Sequence, residues 1–143
     1  LVVVEGVDNP VNVGSIVRNA AALGWDGLLL DHTSADPLSR RSLRVAMGTA
    51  FELPHARTTD LIGELDSIVA GGAQLFGLTP DPAAADIRGM RPTGRRALMI
   101  GAERSGLSPR ALASARPVRI PMADGVDSLN AASATAIACY ALG

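Results

Sequence analysis

Short apolar runs alternate with helix-like stretches along the whole chain, and this alternation restricts the fold more than any other feature. Residues 2–4, 28–30, 51–53, 75–78, 97–100 and 118–120 read as strands. Each run is too short for a buried helix, and most are bounded by Gly, Pro or Asp. The segments between them carry helix start signals. Asn9-Pro10, Asp36-Pro37 and Ser108-Pro109 each set a capping side chain before a proline at the first helical position. Asp60 opens a stretch in which Leu61, Leu65, Ile68 and Val69 share a face, and Gly71 stops it. An Ala-rich helix over residues 128–142, with Ser128 as its cap and Asn130 inside its first turn, closes the chain. Strands that are apolar throughout, in strict alternation with helices, predict an α/β fold: a mostly parallel sheet with helices on both faces. There is no internal repeat, and residues 79–94, rich in Pro, Ala and Arg, form the loosest stretch.

With 143 residues, 48% hydrophobic and 19% charged, the chain suits one folded domain, 1–143, with a sizeable core. No apolar run approaches the roughly 20 residues that span a bilayer. The opening LVVVE lacks the flanks of a signal peptide, and the single Cys139 fits a reducing, cytoplasmic setting. The first residue is Leu1 rather than Met, which points to a processed or partial chain. Net charge is −1, so overall electrostatics announce no polyanion partner, yet all 13 basic residues are Arg. A GC-rich genome explains that bias as simply as phosphate recognition does. Aromatics at 3% exclude a base-stacking platform for single strands.

Ligands of such sheets bind beyond the carboxyl ends of the strands, which directs attention to three segments. After residue 4 comes Asp8-Asn9-Pro10-Val11-Asn12-Val13-Gly14-Ser15-Ile16-Val17-Arg18-Asn19-Ala20, where a helix start and Arg18 together suit an anion. An ordinary capped helix with a surface arginine explains the same residues. It is neither a GxGxxG nor a GxxxxGK[ST] loop, so dinucleotide and P-loop chemistry are poorly supported. After residue 100 comes Gly101-Ala102-Glu103-Arg104-Ser105-Gly106. Here Gly101 allows close approach by a ligand, and Glu103 can accept from a neighbouring donor. A plain strand-to-helix turn is the competing reading. After residue 120 come Pro121-Met122 and then Ser128-Leu129-Asn130 at the head of the Ala-rich helix.

Taken together, N-x-V-G-S-I-V-R-N-A, I-G-A-E-R-S-G-L-S and I-P-M-(x)5-S-L-N-(x)2-S-A resemble the three motifs of the SpoU/TrmH family. These are S-adenosylmethionine-dependent RNA ribose 2′-O-methyltransferases of the SPOUT class. Arg44-Val-Ala-Met-Gly48, followed by Phe51 and Pro54, is similar to the family segment between the first two motifs. The resemblance covers nearly the whole chain and implies a C-terminal trefoil knot, a homodimer and sites shared with the partner subunit. It implies S-adenosyl-L-methionine as methyl donor, with Gly101, Ile120 and Leu129 lining its pocket and Thr79, Met122 and Ser128 adjoining. It further implies a polar catalytic constellation of Asn12, Arg18, Glu103 and Asn130, acting on tRNA or rRNA. The family's separate N-terminal RNA-binding domain has no room within these residues. Arg104 departs from the pattern, standing where the family usually has Gly; it either narrows the pocket mouth or places a cation near RNA phosphate.

Methyl transfer is an in-line displacement that needs alignment and loss of the hydroxyl proton, and no metal. His32 and His55 lie outside the motifs and, with one Cys, make no metal set. A guanidinium does not deprotonate in proteins, so Arg18 is expected to clamp phosphate and stabilise developing negative charge. Glu103 is expected to orient Arg18 or another donor, and Asn12 and Asn130 to fix geometry. Arg18, Arg40, Arg41, Arg44 and Arg104 are the expected RNA contacts; Arg88, Arg91, Arg95 and Arg96 read as solvated loop arginines. A non-catalytic knotted RNA-binding module and a flavodoxin-like nucleotide-binding domain are the alternatives.

Overall fold

Side-chain caps start the helices much as the sequence signals require. Asn9 accepts from the Val11 amide at 2.9 Å, Asp60 from Gly63 and Ser108 from Ala111. The computed structural model describes residues 1–143 and gives the order β1 (Val2–Val4), α1 (Pro10–Ala22), β2 (Leu28–Asp31), α2 (Arg40–Ala46), β3 (His55–Thr58), α3 (Leu61–Ala70), β4 (Gln74–Leu78), β5 (Ala85–Asp86), β6 (Arg96–Ile100), α4 (Pro109–Ala113), β7 (Arg116–Arg119) and α5 (Ala131–Leu142). Short 3-10 turns lie at Thr49–Phe51 and Ile87–Gly89.

The seven strands form one sheet in the order β3-β2-β1-β6-β4-β7-β5, and every pairing is parallel. The central strands are buried on both faces, which is why their sequences do not alternate. On one face Val2, Val4, Leu28, Leu30, Leu98 and Ile100 pack with Val13, Ile16 and Val17 of α1 and Ala138 and Leu142 of α5. On the other, Val3, Leu29, Leu75, Ala97 and Met99 pack with Leu61 and Leu65 of α3 and Ala111 of α4. Each fully buried aliphatic side chain contributes about 1.5–3 kcal/mol. The α/β expectation, with helices on both faces, is therefore met.

Helix α1 and helix α2 cross closely because Gly14 has no side chain. A Cβ there would lie 2.4 Å from the Ser42 carbonyl oxygen. The Ser42 hydroxyl also reaches the Pro10 and Asp36 carbonyls at 2.9 Å each, pinning the crossing. The arginines of α2 are thereby carried alongside α1.

Three local expectations need correction. Residues 51–53 are not a strand: Phe51 ends a 3-10 turn, and the strand falls at His55–Thr58. That strand is the sheet edge and partly exposed, so its sequence carries no apolar run. Asp36 makes only a local turn to the Leu38 amide, and Ser39 is the cap of α2. Ser128 does not cap the last helix. Asn130 does, accepting from the Ala132 and Ser133 amides at 3.0 and 3.2 Å. The loose stretch also contains β5, two residues long.

Asp31 closes β2 as a buried carboxylate and gathers the loops after β1 and β2. It accepts from the Gly6, Thr33 and Ser34 amides and from the Thr33 and Ser34 hydroxyls. Burial works to raise its pKa, but the hydrogen bonds from Ser34, Thr33 and Gly6 outweigh it and hold the pKa below the usual carboxylate value. A depressed folded pKa gives stability that is complete above the ordinary carboxylate value of about 4 and is lost as pH falls through the folded value. Asp31→Ala is therefore expected to cost about 2–3 kcal/mol near neutrality, through donors left unpaired. The part of that difference that rests on the charged carboxylate should shrink as pH falls below the ordinary carboxylate value, as chemical denaturation across pH would show; a gap unchanged in acid would refute the account.

No helix is long and apolar enough to cross a membrane. Burial pushes the Cys139 thiol up to about 12, so it behaves as a core residue rather than a nucleophile.

Candidate active site

Strand order reverses between β1 and β6: the chain builds outward through β2 and β3, then returns to the far side of β1. Loops leaving the carboxyl ends of those two strands lie side by side, on the side of the sheet where ligands of open α/β sheets bind. Asn12 lies on α1 just beyond β1, and Glu103 on the loop beyond β6. They meet there.

The Asn12 carboxamide donates to Glu103 Oε1 at 2.9 Å. Asn130 Nδ2 donates to the same oxygen at 2.7 Å and to Asn12 Oδ1 at 3.0 Å. The Ala131 amide adds a longer contact of 3.4 Å. Because Asn130 Oδ1 is engaged in capping α5, its amide orientation is fixed, and that in turn fixes Asn12. Asn12 is buried, whereas Glu103 and Asn130 reach the surface, so the triad is rigid below and open above. Sequence positions 12, 103 and 130 thus become one hydrogen-bonded unit.

Beside it lies a mostly apolar cavity of about 480 Å³, within the range that holds small ligands. Thr79, Gly101, Ile120, Met122, Ser128 and Leu129 all line it, together with Glu103, Arg104 and Asp127. The six residues expected to hold the donor therefore face one space. Gly101 is also required by the chain itself. A Cβ on it would fall 2.1 Å from the Gly106 carbonyl carbon and 2.2 Å from the Leu107 nitrogen. The chain's own loop makes this close approach.

Arg18 stands apart from the triad. It is exposed on α1, and Glu103 spends its contacts on Asn12, Asn130 and the Ala131 amide instead. Arg40, Arg41 and Arg44 are exposed on α2 and form no ion pair; the chain's ion pair is Arg88–Asp86. Two of the arginines expected to be solvated are occupied within the fold. Arg91 donates to the Arg88 and Met90 carbonyls, and Arg96 lies over the Trp25 ring at 5.8 Å. No three His, Cys, Asp or Glu side chains are grouped as a metal centre would be.

Two residues that sequence reasoning passed over support the site. Asn19 donates to the Ala132 carbonyl at 2.9 Å, tying α1 to the first turn of α5. Glu5 accepts from the Ser108 amide at 2.8 Å, joining the end of β1 to the loop that carries Glu103. A polar residue on the inward side of α1 was the one available signal for Asn19; Glu5 had none.

The sequence and fold match one family of RNA-modifying proteins. The model of the SpoU rRNA Methylase family matches residues 1–140. An uncharacterized tRNA/rRNA methyltransferase of Mycobacterium tuberculosis is 44% identical over 142 residues, covering 96% of this chain and 49% of that protein. The 23S rRNA (guanosine-2′-O-)-methyltransferase RlmB of Photobacterium profundum is 32% identical over 141 residues, covering 98% and 57%. Among solved structures, the SpoU methyltransferase AviRb from Streptomyces viridochromogenes, in complex with the cofactor AdoMet, superposes with a TM-score of 0.88 at 32% identity. That superposition covers 98% of this chain and 55% of that one. The chain belongs to the SpoU rRNA methylase family. It spans about half the length of the curated relatives it matches.

Proposed function

We propose that this chain is the catalytic part of an RNA methyltransferase that moves a methyl group from S-adenosylmethionine to a ribose 2′-hydroxyl of tRNA or rRNA. One observation carries the reading: the Asn12–Glu103–Asn130 triad borders the cavity that gathers all six donor-site candidates. The cavity fits the donor in kind, with apolar walls from Leu78, Ile100, Ile120 and Leu129 and carboxylates at Glu103 and Asp127 to face positive charge. When bound, the donor supplies an electrophilic methyl group on a sulfonium.

The chain's own residues supply alignment and charge. Thr79, Gly101, Ile120, Met122, Ser128 and Leu129 hold the donor and exclude water. Asn12, Glu103 and Asn130 keep the cavity edge rigid, so that the incoming hydroxyl meets a fixed geometry. Arg18, free on α1, clamps an RNA phosphate and stabilises the oxygen as it loses its proton. A phosphate oxygen or water accepts that proton. Arg40, Arg41 and Arg44 extend the same cationic side and bind backbone without reading sequence.

The knot and the dimer belong to the same proposal. Because β7 pairs with both β4 and β5, the residues joining those two strands must pass across the end of β7. This path supports a threaded C-terminal segment. Ile137 and Tyr140, 43% and 81% exposed on α5, support a twofold partner surface. The setting we infer is the cytoplasm, where its RNA substrates would lie.

Tritiated methyl transfer to total RNA, with sedimentation of the same sample, tests the reading. The expected result is a dimer that labels RNA at alkali-resistant linkages. Donor binding without labelled RNA would favour the non-catalytic module, and no donor binding would remove both.

A further inference from the structure

Arg104 is the one cation on the cavity wall, where it faces the same space as the carboxylates Glu103 and Asp127. It sits at the apex of a tight turn closed by the Gly106 amide on the Ala102 carbonyl at 2.9 Å and by the Ala102–Gly106 bridge. The adjacent Glu103 is turned away from it toward Asn12 and Asn130. Arg104 is exposed and pairs with no carboxylate of the chain. An unpaired guanidinium thus lines a mostly apolar cavity.

The donor's charges mirror this wall. S-adenosylmethionine carries a sulfonium, an ammonium and a carboxylate: two positive charges and one negative. The wall offers two carboxylates and one guanidinium. Apolar walls cannot solvate a carboxylate, and an unpaired one there is costly. Arg18, Arg40, Arg41 and Arg44 do not line the cavity, so the phosphate-facing arginines and Arg104 serve different spaces.

We propose that Arg104 binds the carboxylate of the donor's methionyl end. This rests on the donor-binding reading above and moves Arg104 from the RNA contacts to the donor pocket. The planar guanidinium fork matches a carboxylate two-to-two.

Calorimetry on the whole chain tests it with three probes: S-adenosylmethionine, S-adenosylhomocysteine and decarboxylated S-adenosylmethionine. The unmodified protein should prefer S-adenosylmethionine over its decarboxylated form by about 5- to 20-fold. Arg104→Ala should weaken S-adenosylmethionine and S-adenosylhomocysteine by similar factors and leave the decarboxylated probe unchanged, erasing the preference. The KM for RNA should stay the same. A variant that keeps the preference overturns the proposal. So does a variant that binds all three probes normally but loses RNA affinity, which would make Arg104 a phosphate contact. If the unmodified protein binds none of the three, the donor reading itself fails; if it binds the first two and the decarboxylated probe equally well, only the Arg104 assignment fails.

Discussion

Gly101→Ala is expected to destabilise the protein by about 2–4 kcal/mol, lowering Tm by about 10 °C, and to abolish donor binding. Backbone entropy alone argues the other way. Gly101 is not among the positive-φ glycines, and at such sites alanine usually stabilises by about 0.4–1 kcal/mol. Sterics decide the sign. The new Cβ would meet two backbone atoms of residues 106 and 107 at 2.1 and 2.2 Å, and backbone cannot swing aside as a long side chain can. The turn bearing Glu103 and Arg104 must move outward, which parts Glu103 from Asn12 and opens the cavity. Thermal melts and donor calorimetry on one sample would test both halves. A raised Tm with donor binding intact would show that the turn adapts at no cost.

Arg18→Ala is expected to lower methyl transfer by about 10²- to 10³-fold while leaving donor affinity unchanged. The separation follows from position: Arg18 neither lines the cavity nor bonds to the triad. Asn130→Ala should behave differently. It removes the cap of α5, worth about 1 kcal/mol, and it unties Glu103, so donor affinity and transfer should fall together. Single-turnover rates alongside calorimetry would distinguish the two variants. Equal loss of donor affinity in Arg18→Ala would defeat the clamp role.

Much of the sheet was legible because central parallel strands are apolar on both faces, and such runs are hard to hide. Residues 2–4, 28–30 and 97–100 illustrate this. The edge strand at His55–Thr58 left no such trace, since one side meets water, and the apolar neighbours Phe51 and Leu53 drew attention instead. Phe51 proves 75% exposed and Leu53 a buried loop residue. At the site, the motifs indicated Asn12, Glu103 and Asn130 but not their mutual bonding, because contacts across 27 to 118 residues leave no local pattern. The start of α5 was misplaced for a related reason. Ser128 is a good cap by type, yet its loop is drawn to the cavity, and Asn130 takes over two residues later. Asn19 and Glu5 were passed over since each acts on backbone groups rather than on a recognisable partner residue.

The carboxamide of Asn130 has two tasks that cannot be separated: one atom begins the last helix, and the other locks the carboxylate of Glu103. Fraying of that single helical turn would therefore dismantle the reaction centre while the sheet beneath stayed intact. Heat should silence such a protein some degrees before it melts, and whatever braces the front of α5, whether Asn19 or a neighbouring subunit, sets its working temperature.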